Sequence, residues 1–153
     1  DSFLTTLGIG ATHVVNNDRD WVKRYKPVVF GSLWVGDESA DQKSNAAEAV
    51  ADRELIGMRG GIRILPTPKL ALDGSLMYQY SHYNEATGVQ LSSSGTPKTR
   101  LDDYYGVTVG ARYLLTNQLV LGGEATYTRN DSSLALNDFD RSQLRGFVRY
   151  SFN

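Results

Sequence analysis

Along most of the chain, apolar and polar side chains alternate one by one, which is the period of a β-strand and not of a helix. The alternation is plainest at the end. Over residues 141–152, Leu144, Gly146, Val148, Tyr150 and Phe152 fall on one face, and Arg141, Gln143, Arg145, Phe147, Arg149 and Ser151 on the other. Three arginines on one face do not belong in a dry core, and an apolar face that ends in two aromatic rings does not seek water. Such a strand fits the wall of a transmembrane β-barrel, polar inside and lipid outside. A strand lying over a soluble core shows the same alternation, so the remaining segments decide between the two.

Six further segments alternate. Residues 3–15 place Phe3, Leu7, Ile9, Ala11 and Val15 opposite Thr6, Gly8, Gly10 and Thr12. Residues 21–36 predict a long second strand that is apolar on both faces over 28–35, so its lipid side stays unassigned; Pro27 within it predicts a bulge or an irregular end. Residues 53–65 set Ile56, Met58, Ile62 and Ile64 against Gly57, Arg59, Gly61 and Arg63. Residues 70–84 set Leu70, Leu72, Leu76, Tyr78 and Tyr80 against Asp73, Ser75, Gln79 and Ser81. Residues 100–115 oppose Tyr105, Val107, Val109, Ala111, Tyr113 and Leu115 to Gly106, Thr108, Gly110 and Arg112; residues 119–129 oppose Leu119, Leu121, Ala125 and Tyr127 to Gly122, Glu124, Thr126 and Thr128.

The connections alternate too. Tight ones are expected at 16–20, 66–69 and 116–118, and long ones at 37–52, 85–99 and 130–140, with a short helix possible over 44–51. Short turns at one end and long loops at the other are the rhythm of outer-membrane barrels, periplasmic and extracellular respectively. Aromatic side chains gather at two levels. Tyr78, Tyr80, Tyr105 and Tyr127 lie near the loop ends of their strands, and Tyr113, Tyr150 and Phe152 near the turn ends. Amphipathic rings favour the headgroup levels of a membrane. The fold class read from the pattern is therefore all-β: an antiparallel transmembrane β-barrel segment of about seven strands, with residues 1–153 as one domain.

Composition changes this picture little. The 153 residues carry 16 basic and 17 acidic side chains and a net charge of −1, which gives no nucleic-acid or polyanion signature. There is no cysteine, hence no disulfide or thiolate metal site. No run approaches the roughly 18 apolar residues of a spanning helix.

The stretches Arg129-Asn130-Asp131-Ser132-Ser133 and Asp138-Phe139-Asp140-Arg141, followed by the alternating Phe147-Val148-Arg149-Tyr150-Ser151-Phe152, resemble the C-terminal end of bacterial outer-membrane β-barrel proteins. The likeness is greatest to the putative β-barrel porin group and to the barrel domain of surface lipoprotein assembly modifiers, and it covers about residues 100–153. The chain departs from the pattern in that Asn153 follows the terminal Phe152. The resemblance implies residence in the bacterial outer membrane, with lipid and the barrel assembly machinery as partners. A further barrel segment, a periplasmic domain or a secretion partner is expected with it, and no cofactor is expected.

Counting back from a periplasmic C-terminus, seven strands start the first one at the extracellular side. A single-chain bacterial barrel has an even strand number with no open edge. The expectation is that the chain is the C-terminal part of a larger barrel; the alternative is a complete eight-stranded barrel with two strands merged in the reading of 21–52.

The inward face carries Arg59, Arg63, Arg112, Arg141, Arg145 and Arg149 against Asp73 and Glu124. One reading is an anion-attracting pore lining; the other is a ladder of cross-strand ion pairs, with Glu124 and Arg145 as one rung. The inward glycines suit a wide lumen, strand coiling or a plug. The trio His82, Asp102 and Asp103 is the one arrangement resembling a catalytic site, but His82 shares parity with Tyr78 and Tyr80 and is expected to face outward. Two histidines and no ligand spacing leave metal binding without support. The functional expectation is a channel or export pore with an arginine-rich lumen and no enzymatic activity. The alternative is a structural or secretion barrel that anchors or translocates a partner protein or polysaccharide.

Overall fold

The computed structural model describes residues 2–40, 52–91 and 97–152. They form one antiparallel sheet of seven strands in chain order: β1 (Ser2–Val14), β2 (Val28–Ala40), β3 (Arg53–Thr67), β4 (Leu70–Leu91), β5 (Pro97–Leu114), β6 (Leu119–Ser132) and β7 (Phe139–Tyr150). The sheet is not closed, and β1 and β7 are its two edges. The strands run from 12 residues in β7 to 22 in β4, far longer than the 5–6 usual in globular proteins.

Residues opposite each other in a sheet share a face, so the register converts the alternation of each strand into rows. His13, Val29, Ile62, Gly74, Val109, Ala125 and Leu144 stand opposite one another in turn, while nearer the loop end the same face turns polar on β6 and β7, where Arg129 and Asp140 continue the row of Met58, Tyr78 and Tyr105. On the other face Gly10, Ser32, Arg59, Met77, Gly106, Thr128 and Arg141 stand opposite one another in turn. Away from the loop end one face is thus apolar from β1 to β7 and the other polar.

The two faces are inverted relative to a soluble sheet. Leu76, Val109 and Leu144 on the apolar face are 65, 56 and 87 % exposed, while the buried polar side chains Ser81, Asp102, Thr128 and Asn130 lie on the polar face. The buried hydrophobic residues among those described, Val22, Leu55, Tyr83 and Leu134, are scattered and form no common core. Backbone ladders and contacts within the polar face hold the sheet together.

Two expectations need correction, and a third falls on residues that are not described. Residues 20–25 are not the start of a strand but a short helix, α1 (Asp20–Tyr25). Its Val22 is buried, and its C-cap Lys26 takes a left-handed conformation at φ 45°, which ends the helix. Pro27 is buried just ahead of β2, and its carbonyl accepts a hydrogen bond from Val15 N–H at 2.9 Å. The β1–β2 connection therefore spans residues 15–27 and is not tight. Next, strand extends into each of the segments expected as long loops. β2 continues to Ala40, β4 and β5 stay paired out to Leu91 and Pro97 with register shifts beyond His82, and β6 and β7 are joined over 133–138 through a 3-10 turn at Ala135–Asn137. Finally, the possible helix at 44–51 lies outside the described residues. The turns at residues 68–69 and 115–118 are tight as expected. Pro66 sits where the β3–β4 register shifts between Ile64 and Thr67, a position at which a missing N–H does least harm.

Candidate functional site

The eight residues expected to line the inward face all fall on the polar face of the sheet. Arg59 and Arg63 come from β3, Asp73 from β4, Arg112 from β5, Glu124 from β6, and Arg141, Arg145 and Arg149 from β7. Asp73 is the hub. It stands directly opposite Arg63, and Arg112 Nη2 lies 3.2 Å from its Oδ1. That oxygen has no partner with hydrogen-bond geometry, so the contact is charge attraction alone. Glu124 and Arg145 are directly opposed, yet no ion pair joins them among the described residues. The rung expected there is absent, and among these eight residues the ladder reading holds around Asp73. Arg59 Nη2 donates to Ser75 Oγ at 3.0 Å. Arg141, Arg145 and Arg149 lie exposed on the edge strand β7. Six arginines facing two carboxylates leave this region electropositive.

The inward glycines do not leave open space. Gly57, Gly61 and Gly122 are each directly opposite a ring, of Trp34, Phe30 and Phe147, and a Cβ added at any of them would run into that ring. A large residue over a missing side chain packs the polar face flat. This also settles the side of β2: Phe30 and Trp34 belong to the polar face, and Val29, Leu33 and Val35 to the apolar one.

On the apolar face the aromatic residues sit at two levels. Tyr78 and Tyr105 are opposed, with ring centroids 5.3 Å apart, and Tyr78 OH donates to Asp103 Oδ1 at 2.5 Å. Tyr80 is opposite Asp103, and Tyr127 is opposite Val107. At the turn end Tyr113 is opposite Leu70 and Leu121. Tyr150 OH donates to Gln118 Oε1 at 3.0 Å, and Phe152, two residues past the end of β7, packs edge-on against Tyr150 at 4.7 Å. His82 is opposite Leu101 on this face, while Asp102 belongs to the polar face, so His82, Asp102 and Asp103 do not converge. No group of three His, Asp or Glu side chains among the described residues is placed to hold a metal ion.

A second polar site was not expected from the sequence. At the loop end of the polar face, Arg53, Ser81, Tyr83, Arg100, Asp102 and Tyr104 line a pocket of about 330 Å³ with Gln79, Asn130 and Phe139. Arg53 Nε donates to Glu38 Oε2 at 2.8 Å and its Nη1 to Tyr83 OH at 3.2 Å. Arg100 grips both oxygens of Asp102, with Nε 2.9 Å from each, and its guanidinium lies over the Tyr83 ring at 4.3 Å. Asp102 is one step beyond the Tyr80–Asp103 pair, outside the apolar band. Burial pushes its carboxyl up, but hydrogen bonds from Arg100, Ser132 and Asn130 together with the Arg100 charge outweigh that and hold it below the usual carboxylate range. The inward parity of Tyr83 and Tyr104 was visible in the sequence; the register that brings Arg53 beside Tyr83 and Asp102 beside Ser81 was not.

Compared with known protein families, curated proteins and solved structures, the chain matches none. What stands is the all-β antiparallel sheet with its two unlike faces.

Proposed function

We propose that this sheet is wall of an outer-membrane β-barrel, with its apolar face against lipid and its arginine-bearing face lining a channel or export pore. One observation supports this above the others. The apolar side chains form an exposed band from β1 to β7, edged by tyrosines at both levels on β4 to β7, while the buried polar side chains Ser81, Asp102, Thr128 and Asn130 all lie on the opposite face of the inner strands. In water that arrangement leaves a large apolar surface uncovered; in a bilayer it is the favourable one. The band from Leu70 to Tyr80 on β4 spans about 33 Å of strand, or about 25 Å along the membrane normal at the usual tilt of such strands. The lining carries six arginines against Asp73 and Glu124, so anions are the favoured permeant ions. The two open edges find their partners in further strands of the same wall.

A second reading draws on the loop end. Charges there are paired with one another, Arg53 with Glu38 and Arg100 with Asp102, a lining less suited to passing ions. On that reading the barrel anchors or translocates a partner protein or polysaccharide. Conductance across a planar bilayer separates the two. The first predicts discrete steps with a reversal potential favouring anions, moved toward cations by Arg145→Ser with Arg149→Ser. Stable insertion without conductance favours the second, and unchanged selectivity in the double variant removes these arginines from the path.

A further inference from the structure

We propose that the pocket at the loop end of the polar face binds a neutral polyhydroxylated ring, a monosaccharide unit. The inference uses the pocket alone and does not require that the sheet conduct ions.

Its charges cancel in place. Arg53 holds Glu38 at 2.8 Å, and Arg100 holds both carboxylate oxygens of Asp102. An anion would have to displace a carboxylate from a guanidinium already served, and a cation would have to displace a guanidinium from a carboxylate. What the pocket offers is hydrogen bonding without net charge.

Its floor is buried and polar. Ser81, Asp102 and Asn130 are 2, 4 and 4 % exposed, and all three line the pocket. Ser81 Oγ accepts from Gln79 Nε2 at 3.3 Å and Asn130 Nδ2 donates to Asn137 O at 2.9 Å, which leaves the Ser81 hydroxyl proton as a donor, beside carboxylate oxygens that accept more than one bond.

Its walls are aromatic. The Tyr104 and Phe139 rings lie 6.4 Å apart at 58° and are the rings a ligand can reach, since the Tyr83 ring is buried under the guanidiniums of Arg100 at 4.3 Å and Arg53 at 5.7 Å. Tyr104 OH has no hydrogen-bond partner among the described residues and is left as a donor at the rim. A pyranose combines the two matching surfaces: C–H faces that pack on rings, and hydroxyls that both donate and accept. A volume of about 330 Å³ lies at the small end of ligand clefts and suits one ring rather than a chain.

Trp34 reports on the site, because its indole N–H donates to Gln79 Oε1 at 3.3 Å and Gln79 lines the pocket. The chain has two tryptophans, so Trp21→Phe leaves Trp34 alone. The whole chain folded in detergent would be titrated by calorimetry and by Trp34 emission with glucose and sucrose, and with glucuronate and inorganic phosphate as charged controls. Saturable binding of glucose is expected, weakened about tenfold by Tyr104→Ala and by Phe139→Ala and kept by Tyr104→Phe. If either alanine variant fails to fold, the titrations of the parent chain still decide. Three results would overturn the proposal: no saturable heat or emission change with either neutral sugar up to about 0.1 M, unchanged glucose affinity in both folded alanine variants, or tighter binding of glucuronate or phosphate than of glucose.

Discussion

Single residues on the polar face work in pairs of unlike size. At Gly61 a methyl group would meet the Phe30 ring and also come within 2.5 Å of the Gly74 carbonyl oxygen, which cannot move without shifting the sheet. At Gly60, one residue away on the apolar face, the nearest atom is 3.8 Å off. Gly61→Ala is expected to destabilise by about 1–3 kcal/mol and Gly60→Ala to be close to neutral, read as urea midpoints in detergent. Asp102 is the other decisive residue. Its side chain and that of Arg100 are 6 and 15 % exposed, so removing the carboxylate leaves a covered guanidinium unpaired. Asp102→Asn should cost about 3 kcal/mol at neutral pH. Because the folded carboxyl is held below its unfolded value, the stability it contributes is full above about pH 4 and is lost as pH falls through the folded value. The gap between parent and Asp102→Asn should therefore be constant at neutral pH and close on acidification; a gap that widens there would contradict the pairing. Neither residue's role could be read from the sequence. Parity placed Asp102 and Gly61 on the polar face, but their partners depend on register, which no local pattern encodes.

At the scale of elements, the strands were legible because period two is written in each of them, from Ile56, Met58 and Ile62 in β3 to Leu144, Val148 and Tyr150 in β7. Two features were not. Trp21, Val22 and Tyr25 read as the opening of β2, yet they form α1; a single helical turn is too short for a 3.6 period to declare itself. The outer reaches of β4 and β5 show no clean alternation and read as loop, but backbone pairing continues there at Ala86–Thr99 and Leu91–Pro97. The end of α1 carries a test of its own. Lys26 is the one non-glycine residue among those described with positive φ, and its N–H donates to Val22 O at 2.9 Å. Lys26→Gly removes the steric cost of the left-handed conformation and should stabilise by about 1 kcal/mol; Lys26→Val should destabilise. A midpoint that falls with glycine would show that α1 does not need this cap.

At the scale of the molecule, the central fact is a sheet with its apolar face exposed and open at both edges. Seven antiparallel strands leave β1 and β7 running the same way, so joining one edge to the other would make a parallel seam, whereas an odd number of intervening strands would keep every pair antiparallel. The alternation alone did not foretell the inversion of the faces, since a strand over a soluble core shows it too; the tyrosines gathered at both ends of the strands pointed to it. The open edges followed from the odd strand count, whereas the charge pairing did not follow from the pattern: the rung expected at Glu124 and Arg145 is absent, and Arg112 pairs with Asp73 instead. The absence of cysteine makes the inversion directly measurable. Single cysteines would be placed along β5 at Gly106, Val107, Thr108, Val109, Ala111 and Arg112, and each variant, inserted in lipid vesicles, exposed to a water-soluble, membrane-impermeant thiol reagent. If the apolar face meets lipid, positions 106, 108 and 112 label while 107, 109 and 111 stay protected until detergent is added. Uniform labelling, or labelling strongest at Val107 and Val109, would contradict the account.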